Sequence, residues 1–303
     1  MNLKKTESTV HMSVLLKEVI NNLNIQPNDK VLDGTVGGGG YFREICRLVG
    51  NQGTVIGLDQ DKTVIEIMKS ESSTCQRYLR NENFRNLDKV LNELKINQVD
   101  KIVFDLGISS DQLDESGRGF SFQKNEPLLM TLKDKLDEND LTAMEIVNNW
   151  GEDSLADIIF GYGEERFAKK IARNICKSRE EKLIKTTFDL VEIVKGAVPQ
   201  WYQHKRIHFA TKTFQALRIA VNDEMEALEE GLKKGFEYLE PKGRMAIVSF
   251  HSKEDRLVKR FFKERKLGQT GLLITKKPII PTRDEILENP RSRSAKLRVI
   301  EKI

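Results

Sequence analysis

Three acidic residues close short apolar segments in the first third of the chain, at positions where side chains could bind a ligand. They are Asp33, Asp59 and Asp105. Each segment has the length of a buried strand, and the carboxyl ends of neighbouring parallel strands meet at one edge of a sheet. The sequence therefore predicts that the three carboxylates lie together at this edge.

A glycine-rich segment, residues 34–40, follows Asp33 directly, and five of its seven residues are glycine. Apolar residues at helical spacing come next, namely Ile45, Leu48 and Val49. A strand, a glycine loop and a helix are typical of a nucleotide site, because glycine lets the backbone approach a ligand closely. An acid at the tip of the second strand, here Asp59, suits the hydroxyls of a ribose.

Two cofactors fit this pattern, a dinucleotide and S-adenosylmethionine. A pyrophosphate on the loop would meet the Asp33 carboxylate as a like charge, at a cost of about 1 to 4 kcal/mol. A sulfonium or ammonium group would be attracted instead. The remaining interpretation is a glycine-rich turn with a solvated aspartate, since a glycine motif alone is a weak signal.

The elements that position these residues alternate along the chain. Strands are predicted at 31–33, 54–58, 78–79, 101–105, 245–250, 272–274 and 297–300. Helices are predicted at 12–23 with Ser13 as N-cap, at 64–68, 87–94, 211–239 and 254–266, with a turn at 240–243. This order predicts an α/β fold with a doubly wound, mostly parallel seven-stranded sheet.

Helical periodicity without strand signals fills residues 126–205. Four helices are predicted there, at 141–150 behind a Thr142/Glu145 capping box, and at 155–160, 166–176 and 188–198. We therefore predict an inserted all-helical subdomain for substrate recognition at 111–210. Residues 1–110 and 211–303 would then form the cofactor-binding domain.

Composition limits the class of protein. Lys and Arg number 50 against 46 Asp and Glu, so no global basic field indicates nucleic acid. Cys46, Cys75 and Cys176 are widely spaced, which argues against a disulfide framework or a zinc site, and His11 reads as a structural hydrogen-bonding residue. With no apolar leader and no long apolar segment, the chain is expected to be soluble and cytoplasmic, without a membrane partner.

Several separate motifs occur in a fixed order along the chain. They are His11-x-x-Val14-Leu15-Leu16-x-Glu18, Asp33-Gly34-Thr35-x-Gly37, Asp105-Leu106-Gly107-x-Ser109-Ser110-x-Gln112-Leu113-Asp114, Arg118-Gly119-Phe120-Ser121-Phe122, Gly163-Glu164-Glu165-Arg166, Thr213-Phe214-Gln215-Ala216-Leu217-Arg218, Phe250-His251-Ser252-x-Glu254-Asp255-Arg256 and Asn289-Pro290-Arg291. With these motifs the sequence resembles the bacterial ribosomal small-subunit RNA cytosine-N4 methyltransferases of the MraW/RsmH type, over nearly the whole chain.

The resemblance implies a Rossmann-like class I methyltransferase that uses S-adenosylmethionine. Its target would be the exocyclic N4 amine of a decoding-region cytidine, cytidine 1402 in the family, in 16S rRNA. The partner would be 16S rRNA or the small ribosomal subunit, and a homodimer is compatible with it. The implied cofactor-binding residues are Asp33, Gly37, Gly39, Gly40, Tyr41, Asp59, Phe84, Asp105 and Gln112.

Methyl transfer to an amine needs groups that orient it and accept a proton, and the candidates are Asp105, Ser109 and Ser110. Methylation at ring carbon 5 would instead need a cysteine nucleophile, and no metal is required. Predicted RNA-binding residues are Arg118, Phe120, Phe122, Lys212, His251, Arg256 and Arg291. The alternative is that the rings pin the loop to the core and that the charges form a solvated face.

The sequence departs from the family pattern at several positions. The glycine loop ends in Tyr41-Phe42 where the family has His-Ser, an acid is missing at Asn125, and the segment 129–133 lacks the family's other acids and an arginine. Phe209 and Lys212 stand where the family has Pro and Arg. Two other functions stay open: a dinucleotide-dependent oxidoreductase and an inactive RNA-binding assembly factor.

Overall fold

A computed structural model of the protein describes residues 13–114, 116–133, 136 and 140–303. The chain divides into two compact units, one running to Gly107 and resuming at Leu228–Ile303, the other comprising Ile108–Ala227. The second unit includes residues 211–227, which we had assigned to the cofactor domain. Phe214 and Leu217 explain the difference, since both are buried in the core of the second unit. His11 lies outside the described residues.

The first unit contains one seven-stranded sheet. Its strands are β1 (Lys30–Asp33), β2 (Thr54–Asp59), β3 (Gln76–Asn81), β4 (Val99–Asp105), β5 (Leu239–Ser249), β6 (Gly271–Leu273) and β7 (Lys296–Lys302), in the spatial order β3-β2-β1-β4-β5-β7-β6. The strands β1 to β5 are parallel to one another, and β7 is antiparallel to β5 and β6. The predicted α/β fold is therefore confirmed.

Helices cover both faces of this sheet. They are α1 (Leu16–Leu23), α2 (Gly40–Val49), α3 (Lys62–Ser70), α4 (Leu87–Glu93), α12 (Glu224–Tyr238), which begins in the second unit, α13 (Ser252–Leu267) and α14 (Arg283–Glu288). Successive strand residues point to opposite faces, so Val31 belongs to one buried cluster and Leu32 to the other. Burial on both faces explains why the strands read as continuous apolar runs.

The second unit consists of helices. They are α5 (Ser110–Asp114), α6 (Ala143–Asn149), α7 (Glu152–Gly161), α8 (Ala168–Glu181), α9 (Thr187–Ala197), α10 (Gln200–Gln203) and α11 (Thr211–Asn222). Within its described residues the only β contact is an isolated bridge between Pro127 and Thr186, so the all-helical prediction is confirmed. The hydroxyl of Thr142 caps α6 by accepting the Glu145 N–H at 3.1 Å, which is one of the two bonds of the predicted capping box.

Two helix boundaries differ from prediction. The lead-in helix begins at Leu16 and not at 12, because Leu15 is left-handed with φ 55°, and Ser13 is not its cap. The predicted helix 211–239 is two helices, α11 and α12, separated at Asp223 with φ 49°. The Asn222 side chain stabilises this break through bonds to Met130 O (2.7 Å) and Leu132 N (2.8 Å).

Two further expectations are wrong. Residues 240–243 do not form a separate turn but lie within β5, which shifts register against β4 between Val99 and Lys101. Cys46 and Cys75 form a disulfide with a Cα–Cα distance of 5.1 Å, whereas Cys176 is free. The 29-residue separation hid this pair, because only the fold brings α2 beside the segment before β3.

No described helix is long and apolar enough to span a bilayer.

Candidate functional site

The carboxyl edge of the sheet collects the three predicted acids. β1 lies between β2 and β4, and Asp33 is in register with Gly57 and with Val103. Asp59 and Asp105 are the last residues of β2 and β4. The prediction that these carboxylates share one edge is therefore confirmed.

Asp59 holds the glycine loop in place. Its Oδ2 accepts the Gly37 N–H at 2.8 Å, and its Oδ1 accepts the Asp61 N–H at 2.9 Å. Gly37 has φ 51°, and a β-carbon there would have Thr35 O as its nearest neighbour, at 3.9 Å. Asp59 thus fixes the backbone of the loop, while open space remains at Gly37.

The space beside Gly39 and Gly40 is filled by the protein itself. A β-carbon on Gly39 would lie 2.5 Å from Met68 Sδ, and Gly39 caps α2 with φ 77°. The Ser13 hydroxyl occupies the space that a β-carbon on Gly40 would need. These glycines are therefore required by packing of the loop, whatever else binds there.

Asp33 is fully buried, and only one of its oxygens has a partner. Oδ1 accepts the Thr35 N–H at 3.1 Å, whereas Oδ2 has no hydrogen-bond partner among the described residues. Burial, together with the nearby charge of Asp59, raises the pKa of Asp33 to about 7. An unpaired buried acceptor is costly, so this position favours a cationic or hydrogen-bonding ligand.

Asp105 has a similar environment. Its backbone N–H donates to Thr35 Oγ1 at 2.6 Å, and its buried Oδ1 is unpaired within the described part of the chain. Burial, followed by the charges of Asp33 and Glu254, raises the pKa of Asp105 well above its usual value. Thr35 was not predicted as a site residue, although it stands in the Asp33-Gly34-Thr35 motif.

Tyr41 and Phe84 contact the protein more than open space. The Tyr41 ring is 2% exposed, and its hydroxyl donates to the carbonyl of Val14. Burial and the charges of Asp105 and Asp33 raise its pKa well above 10. The Tyr41 side chain thus joins the glycine loop to the lead-in segment, and its contact with the cofactor stays a prediction. The ring centroid of Phe84 lies 4.9 Å from that of Phe104. Phe84 therefore packs against the core, and its contact with the adenine of the cofactor stays a prediction.

Ser109 and Gln112, in the second unit, cap one another. The Ser109 N–H donates to Gln112 Oε1 and the Gln112 N–H donates to Ser109 Oγ, both at 3.1 Å. Ser110 begins α5. The Ser109 hydroxyl thus fixes the start of α5, and the proton-accepting and cofactor-binding roles of the three residues stay predictions.

The structure corrects one of the aromatic RNA contacts. Phe120 is 6% exposed in the core of the second unit, so its ring cannot stack on a base. Phe122 stacks on His208 with ring centroids 4.3 Å apart. The Arg118 guanidinium donates to the carbonyls of Leu132 and Lys133, both at 3.1 Å. The alternative that these side chains pin the loop to the core is correct for Phe120.

The remaining RNA candidates have structural contacts of their own. Lys212 donates to Glu164 O at 2.8 Å, and His251 caps α13 by accepting the Glu254 N–H at 3.3 Å. Arg256 and Arg291 are exposed. His251 lines a cavity of about 260 Å³ whose other polar or charged lining residues are Ser252, Arg293, Ser294 and Lys296. RNA binding by these residues stays a prediction.

One surface was missed by the sequence analysis. Trp201 is 54% exposed and lies beside Arg166 and Lys205. From the sequence it was assigned only to the helical region 126–205. The signal that could have identified it is the aromatic pair followed closely by basic residues in Trp201-Tyr202-Gln203-His204-Lys205-Arg206.

A doubly wound sheet with a glycine loop after β1 and acids at the ends of β1, β2 and β4 defines a Rossmann-like α/β fold. The sequence profile of the MraW methylase family matches residues 8–303, and the chain belongs to this family. The predicted methyl donor, S-adenosylmethionine, is confirmed by this membership. The unpaired acceptor of Asp33 fits a cationic group of this cofactor, and the open space at Gly37 leaves room beside the loop.

Similar proteins carry related names. "Ribosomal RNA small subunit methyltransferase H" of Clostridium botulinum (strain 657 / Type Ba4) is 43% identical over 97% of this chain and 99% of its own length. The protein of the same name from strain Kyoto / Type A2 has the same identity and coverage. Among solved structures, an rRNA methylase from Streptococcus thermophilus is 10% identical, with a TM-score of 0.42, over 96% of this chain and 98% of that one.

Proposed function

We propose that this methyltransferase modifies the exocyclic N4 amine of a decoding-region cytidine, cytidine 1402 in the family, in small-subunit ribosomal RNA. Similar proteins named ribosomal RNA small subunit methyltransferase H support the choice of RNA. The observation that carries the choice of reaction is the buried, unpaired Oδ1 of Asp105 at the carboxyl end of β4.

Each acid at the sheet edge has a distinct task. S-adenosylmethionine supplies an electrophilic methyl group when bound. Asp59 binds the ribose hydroxyls while holding Gly37, and Asp33 offers its unpaired oxygen to a cationic group of the cofactor. A carboxylate that gains an opposite charge is stabilised in its ionised form, which offsets the desolvation at Asp33.

Asp105 acts on the nucleophile. The lone pair of the cytosine amine is delocalised into the ring, so the amine must be oriented toward the methyl group before it reacts. Asp105 Oδ1 accepts one amine proton, which holds that orientation. As the new N–C bond forms, the bond between the methyl group and the cofactor sulfur breaks and leaves a neutral thioether. The amine becomes acidic, and this proton passes to the carboxylate. The raised pKa of Asp105 makes it a better proton acceptor than an ordinary aspartate.

Transfer to nitrogen rather than to ring carbon 5 is supported by the cysteines. A carbon-5 reaction needs a thiolate nucleophile. Cys46 and Cys75 are joined to each other, and Cys176 lies on α8, outside the unit that contains Asp33, Asp59 and Asp105. We propose that the helical unit recognises the substrate. A homodimer and a cytoplasmic location stay predictions.

The test is methyl transfer from isotopically labelled S-adenosylmethionine to small ribosomal subunits isolated without this modification. Mass spectrometry of the digested RNA should find the label in N4-methylcytidine from the decoding region. Label in 5-methylcytidine, or in no nucleoside, would contradict the proposal; the second result would favour the inactive assembly factor.

A further inference from the structure

Six residues of the second unit form a group that we name the aromatic–basic cluster. Its members are Arg166, Phe167, Lys170, Trp201, Tyr202 and Lys205. The three rings pack edge to face, with centroids 5.0 Å apart for Phe167 and Tyr202, 5.7 Å for Trp201 and Tyr202, and 6.3 Å for Phe167 and Trp201. The rings therefore have fixed positions relative to one another.

A buried carboxylate anchors the cluster. Glu165 is fully buried, and its Oε2 accepts the Tyr202 hydroxyl at 2.5 Å while its Oε1 accepts the Phe167 N–H at 2.9 Å. These bonds join the segment before α8 to α10. Trp201, the next residue to Tyr202, is held at the surface with 54% of its area exposed. A large exposed indole on a rigid support is suited to contact with a partner.

The cations of the cluster form cation–π contacts with its rings. Arg166 Cζ lies 4.5 Å from the Trp201 ring centroid, and Lys205 Nζ lies 5.2 Å from it. In the described part of the chain, neither cation forms an ion pair with a carboxylate. Residues 166–170 and 201–206 contain no acid, although Glu164 and Glu165 directly precede Arg166. Because the Glu165 carboxylate is buried and accepts the Tyr202 hydroxyl, the exposed charge of these two segments is positive. Exposed cations usually form a solvated face, but here an exposed ring accompanies them.

We propose that the aromatic–basic cluster binds an unpaired stretch of RNA, with Trp201 stacking on a base and Arg166 and Lys205 contacting the flanking phosphates. Unpaired bases stack on aromatic side chains, and arginine and lysine bind the backbone beside them. An acidic protein segment would use the same charges but would gain little from the indole. This inference rests on the proposed function, because it concerns the RNA that the enzyme would modify.

The experiment measures binding of a fluorescent single-stranded oligoribonucleotide and of unmodified small subunits to the full-length protein. Trp201→Ala should weaken oligonucleotide binding by about 5- to 150-fold, the range for loss of one stacked base, and Trp201→Phe should retain most of the affinity. Lys205→Ala should lower the slope of log affinity against log salt concentration by about 0.7, which corresponds to one phosphate contact on a single strand.

Two controls match these changes elsewhere in the unit. Phe188→Ala removes a 46% exposed ring near the start of α9. The C-terminal end of α9, which precedes Trp201 in the chain, lies about 15 Å away along the helix axis. Lys177→Ala removes an exposed cation on α8. Both should bind RNA like the wild type, and all variants should bind S-adenosylhomocysteine equally.

The outcomes separate this inference from the proposed function. If the wild type methylates subunits and the Trp201 and Lys205 variants bind RNA normally, RNA binding by the cluster is contradicted and the proposed function is not. A wild type that transfers no methyl group but loses RNA affinity on Trp201→Ala would uphold the cluster and contradict the proposed function. If Trp201→Ala does not fold, the salt slope of Lys205→Ala decides, and an unchanged slope overturns the inference.

Discussion

Asp33 and Asp105 each keep one buried carboxylate oxygen without a partner among the described residues. Such oxygens destabilise the folded protein when no ligand is bound, because the carboxylate loses its hydrating water and gains no hydrogen bond in exchange. A bound cation or N–H donor removes that penalty. The same two residues thus link the stability of the free protein to its binding of cofactor and substrate.

The raised pKa of Asp33 should be visible in the pH dependence of the free energy of unfolding. Its pKa is about 7 in the folded protein and near 3.8 when unfolded, so the folded state binds the additional proton between these values. The free energy of unfolding then falls as pH rises through this window, by up to about 1.4 kcal/mol per pH unit. Asp33→Asn lacks this titration, and without cofactor it should be more stable than the wild type at pH 8, on the order of 4 kcal/mol.

Urea unfolding at pH 5 and pH 8 measures this effect. The variant's advantage should shrink at pH 5 and vanish near pH 4, while Asp105 titrates in both proteins. An advantage that does not change with pH, or a variant that is less stable at both values, would show that Asp33 is not a desolvated carboxyl.

At the scale of elements, local pattern predicted the sheet but not the points where tertiary contacts override it. Most strands were recognisable because they are apolar runs ended by an acid or a turn. The exception is the edge strand β3, which has only Tyr78 and Leu79 as apolar residues. The separation of α11 from α12 was not, because it depends on Asn222 bonding to Met130 and Leu132, some 90 residues away. The late start of α1 likewise depends on Leu15 N–H donating to Glu285 Oε1 at 2.7 Å.

The packing of the lead-in segment on the glycine loop gives a prediction for a pair of substitutions. Alanine at the first residue of a helix is ordinarily favourable, but Gly40→Ala must displace the Ser13 hydroxyl, at a cost of about 1 to 3 kcal/mol. Ser13→Gly in the same chain frees the space and should restore most of the loss. Urea midpoints and S-adenosylhomocysteine affinity measure both effects, with Ser13→Gly alone as control.

A double variant as unstable as Gly40→Ala would contradict this account, since it would place the cost in the loop itself and not in its contact with Ser13.

At the scale of the whole molecule, the two units differ in how far sequence predicted their functional residues. The acids of the first unit follow from strand ends, and a parallel sheet brings strand ends together whatever the details of packing. The residues of the second unit depend on which side of a helix or loop faces its core. Phe120 was predicted to face RNA and is buried, whereas Trp201 was passed over and is exposed. In the first unit, the pairing of Cys46 with Cys75 was also missed, because only the fold brings α2 beside the segment before β3.

The central claim is that Asp105 accepts a proton from the amine that receives the methyl group. The direct measurement is single-turnover methyl transfer by Asp105→Asn to unmodified small subunits at saturating cofactor, with S-adenosylhomocysteine affinity determined in parallel. Asparagine keeps the size and shape of the side chain, so the fold should persist. We predict a rate about 10²- to 10⁴-fold below wild type, with a much smaller change in cofactor affinity. A variant that transfers methyl groups at the wild-type rate would contradict the claim.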